Sequence, residues 1–396
     1  MSNAQTTLGA LMRDGRLYFN DGYRTKRSEH ADDGFRIVRA GDVADGSISL
    51  DGPDFVSEQF VSAIGEKVGA PGDIVLTTKG SVGRVGVMPQ TGERAVYSPQ
   101  LCFFRVRDIG SIDAGFLRYW FQSDEFLHQA ADRMNNTDMA AYINLADIRS
   151  LRISLPASGE QQAIAEVLGA LDDKIAANGR LQKSATQLCL ALVEAHTERC
   201  TVADLASLSK MTVQPDEMTD PLVAHFSLPA FDAAGGSEVV SPTTIRSGKF
   251  SIRRSSVLIS KLNPRFPRVW NIPEMRVQPA LASTEFLVLE PRGVSTSALW
   301  ATLLQPSFGQ YLESMVAGTS GSHQRVRPAD IMASPVTDAR SLESQRLESL
   351  NAAALLVHRL TGENTTLAAT RDALLPQLMS GKLRVREAEK KIEELV

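Results

Sequence analysis

The chain has 396 residues, of which 43% are hydrophobic and 22% charged, and a formal net charge of −4. That is the make-up of two to three ordinary globular domains of about 150 residues each, and it excludes wholesale disorder and collagen-like repeats. Three cysteines, Cys102, Cys189 and Cys200, lie far apart without C-x-x-C spacing, which argues for buried small apolar residues and against a disulfide framework or a zinc site.

In chain order, the first clear signal is Asp73-Ile74-Val75-Leu76-Thr77-Thr78-Lys79, a β-rich run ending in a lysine. Gly80, Gly83 and Gly86 follow among Val82, Val85 and Val87, the pattern of a strand hairpin. Phe116 to Ser123 is patterned as an amphipathic helix, a polar loop holds Arg133, Asn135, Asn136 and Thr137, and Ala146-Asp147-Ile148 comes shortly before Pro156. Pro156 and Ser158, with Glu160 and Gln161 in the first turn, then form a helix start, because acids there favour the helix dipole. Apolar residues recur at Ile164, Leu168, Leu171 and Ile175, then at Leu181, Ala185, Leu188 and Leu192. This is a coiled-coil seam, with a phase slip expected near Asn178.

The same order returns at an offset of about 182 residues. Ser255-Ser256-Val257-Leu258-Ile259-Ser260-Lys261 lines up with Asp73 to Lys79, Ala298 to Gln305 with Phe116 to Ser123, and Ala329-Asp330-Ile331 with Ala146 to Ile148, followed by Pro335. A second seam runs through Leu347, Leu350, Ala354, Val357 and Leu360, then Leu367, Leu374 and Leu378, with a slip expected near Asn364. Helices of about 35 residues would extend roughly 50 Å, too long for one buried stripe in a globular core. The expected fold is α+β, a duplicated domain with two long helices that bury their seams on each other, antiparallel, as a spacer. Boundaries fall at 1–157, 158–198, 199–340 and 341–396.

Charge is uneven along the chain. Only 199–340 is net positive, with 14 basic and 12 acidic residues. Within it Arg246, Lys249, Arg253, Arg254, Lys261, Arg265, Arg268 and Arg276 stand against the single acid Glu274. Such a strip could neutralise several phosphates. Catalytic signatures are missing: Gly248-Lys249-Phe250 and Gly381-Lys382-Leu383 lack the hydroxyl of a phosphate-binding loop, and neither H-E-x-x-H nor G-x-S-x-G occurs. The six histidines have no metal-ligand spacing. No apolar run approaches the roughly 18 residues of a membrane span, and the first six residues lack the features of a signal peptide, so a cytoplasmic protein is expected.

Two segments carry a resemblance. Leu155-Pro156-Ala157-Ser158-Gly159-Glu160-Gln161-Gln162-Ala163-Ile164-Ala165, continuing through Leu168, Leu171-Asp172 and Lys174-Ile175, is similar to the central conserved region of specificity (S) subunits of Type I restriction-modification systems. Leu374-Leu375-Pro376-Gln377-Leu378-Met379-Ser380-Gly381-Lys382-Leu383 resembles their distal conserved region, and Asp73 to Gly86 the hairpin of a target recognition domain. The second copy departs from the pattern, with Ser255-Ser256 for Gly72-Asp73, Asn263-Pro264-Arg265 for Gly80-Ser81-Val82, and Glu343-Ser344-Gln345 for the Glu-Gln pair.

The resemblance implies a non-catalytic adaptor: two target recognition domains related by a pseudo-twofold repeat, each reading one part of a bipartite, asymmetric double-stranded DNA target. Methyltransferase subunits would dock on the helices, and a restriction endonuclease-motor subunit could join them. No cofactor is expected on this chain. S-adenosylmethionine, with ATP and Mg for restriction, would belong to the partners. The expected DNA-binding residues are Lys79, Ser81, Arg84, Arg133, Asn135, Asn136 and Thr137 in the first domain. In the second they are Lys261, Asn263, Arg265, Arg268, Thr319, Ser320, Ser322, His323, Gln324 and Arg325. Arg and Asn or Gln can pair with guanine and adenine edges, while Lys, Ser and Thr suit phosphates. Ala163, Ala170 and Ala177, outside the seam, are the expected partner face. Two other readings stay open: a helical scaffold for protein partners without DNA, and an autonomous nucleic-acid enzyme with dispersed catalytic residues.

Overall fold

The computed structural model describes residues 4–44, 46–136, 141–233, 236–275, 277–315 and 324–393. The chain divides into two compact units, Met1–Asp173 with Ala369–Val396, and Lys174–Ala368. Each is a mixture of helix and sheet.

In the first unit an antiparallel sheet runs in the order Leu17–Asp21, Leu101–Val106, Ile74–Thr77, Val85–Val87. Its two inner strands read as continuous apolar runs because both of their faces are covered. A second sheet pairs Ala95–Tyr97 with Phe35–Val38 in parallel. The helix Ala114–Trp120 starts where Asp113 accepts a hydrogen bond from the Phe116 amide, and it turns Phe116, Leu117, Tyr119 and Trp120 inward. Ala4–Thr7 pairs with Arg152–Leu155, the strand just before the first long helix.

The second unit repeats the main sheet of this plan, while its second sheet has five strands against four. Ala206–Ser209, Phe286–Pro291, Ser256–Ser260 and Val269–Ile272 form the equivalent sheet in the same order. Ala280–Ala282 runs parallel to Val223–Phe226, the helix Thr296–Leu303 is capped by Ser295, and Arg199–Thr201 pairs with Pro335–Thr337. The three tryptophans are core residues: Trp120 and Trp300 are buried, and Trp270 meets Phe226 and Phe231 edge to face. Cys102 and Cys189 are buried and Cys200 is half-buried, all as free thiols. Among the described residues, no helix is long and apolar enough to cross a membrane.

The register of the repeat differs by one residue in the central strand. Thr77 pairs with Leu101 as Ser260 pairs with Phe286, and Gly80, at φ 80°, occupies the left-handed place that Asn263 fills at φ 50°. Thr78, rather than Lys79, is therefore the counterpart of Lys261. Matching lysine to lysine misplaced the strand, because backbone conformation and not side-chain identity fixes this turn; Asn is among the few residues other than Gly that adopt it readily.

The long helices are Ser158–Glu194 and Ser344–Met379. The expected phase slip at Asn178 is absent. Leu171, Ile175, Asn178, Gln182, Ala185 and Cys189 continue one heptad seam through the asparagine, which is only 4% exposed, whereas Leu181 and Leu188 are 47% and 49% exposed. Within the second unit, Asn178 Nδ2 donates to Asn364 Oδ1 at 2.9 Å, Gln182 Nε2 to Thr361 Oγ1 at 2.8 Å, and the Cys189 thiol to the Leu350 carbonyl at 3.7 Å. Positions descend on one helix as they ascend on the other, so the pairing is antiparallel. Polar residues hold the middle of a seam that hydropathy alone reads as broken.

Candidate nucleic-acid interface

The hairpin after Ile74–Thr77 is built from its own hydroxyl and glycines. Thr77, fully buried, donates its Oγ1 to the Ser81 carbonyl and accepts at the same oxygen from the Arg84 amide. Gly80 and Gly83 take positive φ, which a side chain would strain. This turn leaves Lys79, Ser81 and Arg84 exposed. The loop after the helix Asp124–Arg133 then closes on it: the Gly80 amide donates to the Ala141 carbonyl at 3.0 Å, and the Ile143 amide to the Thr78 carbonyl at 3.0 Å. Two polar segments more than 50 residues apart thus form one rim. Asn135 and Asn136 pair with Ala141 and Tyr142 through the backbone. Arg133 donates to Ser150 Oγ and the Gln129 carbonyl, which secures the base of the loop. Thr137 lies outside the described residues.

The second unit makes the same seam. The Asn263 amide donates to the Gln324 carbonyl at 2.9 Å, and the Val326 amide to the Lys261 carbonyl at 3.0 Å. The turn is one residue longer: Thr77 N bonds the Arg84 carbonyl in the first unit, and Ser260 N the Arg268 carbonyl in the second. Between these anchors stand Pro264, Arg265, Phe266 and Pro267 in place of Ser81, Val82 and Gly83. Arg265 is exposed and Lys261 half-buried. Arg325 pairs with Glu285 at 2.8 Å. Thr319, Ser320, Ser322 and His323 lie outside the described residues.

The basic strip is less uniform than its sequence. Arg268 is held by Asp232 in a two-pronged pair, 2.6 and 2.9 Å, and the guanidinium keeps the Asp232 carboxyl below its usual range. Lys249 is 6% exposed and turns its Nζ to Ser247; burial lowers its pKa. Arg246, Arg253, Arg254 and Arg265 remain exposed, and Arg276 lies outside the described residues. Of the alanines expected to meet a partner, Ala170 and Ala177 are exposed and Ala163 is half-buried. Among the described residues no group of three or more His, Cys, Asp or Glu could hold a metal.

Several residues that shape the site escape sequence reasoning. Gln161, 1% exposed, accepts from the Asp113 amide and donates to the Ser111 and Pro156 carbonyls, bolting the start of the long helix to the loop before the helix Ala114–Trp120. Asp172 receives Arg118, the Tyr119 hydroxyl at 2.7 Å and Arg371 at 2.7 Å. Asp73 receives Arg105 through two nitrogens at 2.7 Å, the Tyr97 hydroxyl at 2.9 Å and the Ala70 amide. Burial pushes the Tyr97 and Tyr119 phenols up. Phe266, 62% exposed, has no sequence mark that separates it from a core aromatic.

Residues 17–187 match the family model described as the Type I restriction modification DNA specificity domain. A curated relative, the Type I restriction enzyme MjaVIII specificity subunit of Methanocaldococcus jannaschii, is 27% identical over 154 residues. That match spans 38% of this chain and 36% of the relative, about a third of the relative's length. Among solved structures, a Type I restriction-modification system S subunit from M. genitalium aligns over 95% of both chains with a TM-score of 0.53 and 14% identity. This last likeness is one of fold.

Proposed function

We propose that the chain, whose residues 17–187 match the Type I restriction modification DNA specificity domain, is the non-catalytic DNA-reading subunit of a methyltransferase complex. Each unit reads one part of a bipartite target, using the rim where its hairpin meets its second polar loop. The supporting observation is that this rim is built twice with the same main-chain bonds, Thr78 with Ile143 and Gly80 with Ala141, then Lys261 with Val326 and Asn263 with Gln324. Lys79, Ser81, Arg84, Lys261, Asn263, Arg265 and Gln324 are the reading and phosphate-holding side chains. Arg268 acts on the loop through Asp232 rather than on DNA. Because the two rims differ in length and side chains, the two half-sites differ and the target is asymmetric.

Methylation is carried out by partner subunits that bring S-adenosylmethionine and dock on the long helices over Ala170 and Ala177. A restriction partner would add ATP and Mg. The deciding experiment combines gel shifts of the purified chain plus its methyltransferase with mapping of methylated bases in the host genome. Two different half-sites at a fixed gap are expected. Binding without sequence preference, or a palindromic target, would overturn the reading. The chain alone should show no methylation, cleavage or ATP turnover.

A further inference from the structure

The turn between Ser260 and Arg268 presents a large aromatic to solvent. Phe266 is 62% exposed, although a phenylalanine gains most when buried. It is fixed in place: its amide donates to the Asn263 carbonyl at 2.9 Å, Asn263 holds φ 50°, and prolines stand two before and one after it. The exposed Arg265 guanidinium lies over the ring, 5.8 Å from its centroid. The matching turn of the first unit carries Ser81 and Val82 between glycines and has no aromatic.

An apolar ring at the tip of a rigid, cationic loop has no hydrogen bond to offer a base edge. In the major groove the one apolar group on any base is the C5-methyl of thymine. Insertion between stacked bases would need both ring faces free, and Arg265 covers one. Resting on the DNA-reading function proposed above, we infer that Phe266 is a specificity-determining residue that packs against a thymine methyl in the target, with Arg265 directed to the neighbouring phosphate or base.

The test uses the complex of this chain with its methyltransferase and oligonucleotides in which each thymine of the target is replaced in turn by uracil, which removes only the methyl. At one position the replacement should weaken wild-type binding about four-fold, as loss of one buried methyl implies. Phe266→Ala should bind the unmodified target about that much more weakly and be indifferent to uracil there, while Phe266→Leu keeps part of the discrimination. The exposure of Phe266 leaves the fold of the variants intact, which a thermal melt verifies. A target without thymine, a wild type indifferent to every uracil, or an equal uracil penalty in Phe266→Ala would overturn the assignment. Loss of all sequence preference in the wild type would instead overturn the function proposed for the chain.

Discussion

Asp73 and Ser256 stand at the same place in the two units, at the head of the same central strand, and are satisfied in opposite ways. Asp73, 1% exposed, is neutralised by Arg105 and the Tyr97 hydroxyl. Ser256, fully buried, gives its hydroxyl to the Arg254 carbonyl two residues back. The contrast extends to their neighbours: where the first unit has Tyr97 and Arg105, the matching strands of the second have Ala282 and Glu290. It recurs where the sheet-bearing part of each unit meets its long helix segments. Beside its neutral Gln161 contacts the first unit adds the ion cluster on Asp172, while the second has neutral bonds, from Ser295 Oγ to Asn351 Oδ1 at 2.6 Å and from Gln305 to the Leu190 carbonyl. One backbone plan therefore tolerates both a charged and an uncharged interior, because strand order and turn geometry are set by the main chain. A buried ion pair adds little net stability over a neutral packing, yet losing one partner strands the other.

Removing the carboxylate should expose that asymmetry most sharply. Asp73→Ala should cost the first unit about 3 kcal/mol, since Tyr97 is left buried without its acceptor and the half-buried Arg105 keeps only the Val68 carbonyl, while Ser256→Ala should cost the second about 1 kcal/mol. Denaturant unfolding followed by hydrogen exchange in each unit would measure both, and equal losses would erase the distinction. Asp172→Ala should destabilise the first unit by about 3 kcal/mol against about 1 kcal/mol for Ser295→Ala in the second.

A smaller effect separates two arginines of one strip. Arg265→Ala should lower the log-log salt slope of DNA binding by about 0.9, and Arg268→Ala, whose guanidinium is engaged by Asp232, should leave the slope near wild type. If the two variants behave alike, the Asp232 pair opens on DNA. The mildest contrast is in pH. Burial, with Lys249 nearby, depresses His225 in the second unit below its ordinary 6.5. The unfolded chain then takes up a proton that the folded chain resists, so stability is full above pH 6.5 and declines as pH falls below it. The melting temperature of the second unit should drop between pH 7.5 and 5.5, and His225→Gln should flatten the slope.

Short-range pattern was enough to locate the duplication, the hairpin and both long helices. What it missed depends on partners far away in sequence. Leu181 and Leu188 look like seam residues by hydropathy, but the helical phase set by Leu171 and Ile175 carries Asn178, Gln182 and Cys189 inward instead. Arg268 reads as one more cation of a strip until the fold brings Asp232 against it. Asp73 belonged to a recognisable motif, but its ties to Arg105 and Tyr97 cross two strands. Nothing in the spacing of those three residues announces them.

The asparagine pair acts on the helices as an index mark. Leucine-rich stripes packed antiparallel are nearly as content after sliding by seven residues, because one apolar layer resembles the next. Such a slide would carry Asn178 from Asn364 to Val357 and strand an amide on each helix in an apolar layer, at about 1–3 kcal/mol apiece. The 2.9 Å bond of this pair, beside that of Gln182 to Thr361 at 2.8 Å, thus makes one alignment of the second unit's helices distinguishable from its neighbours. Leucine at both positions should yield a tighter pair whose alignment is marked only by Gln182 and Thr361.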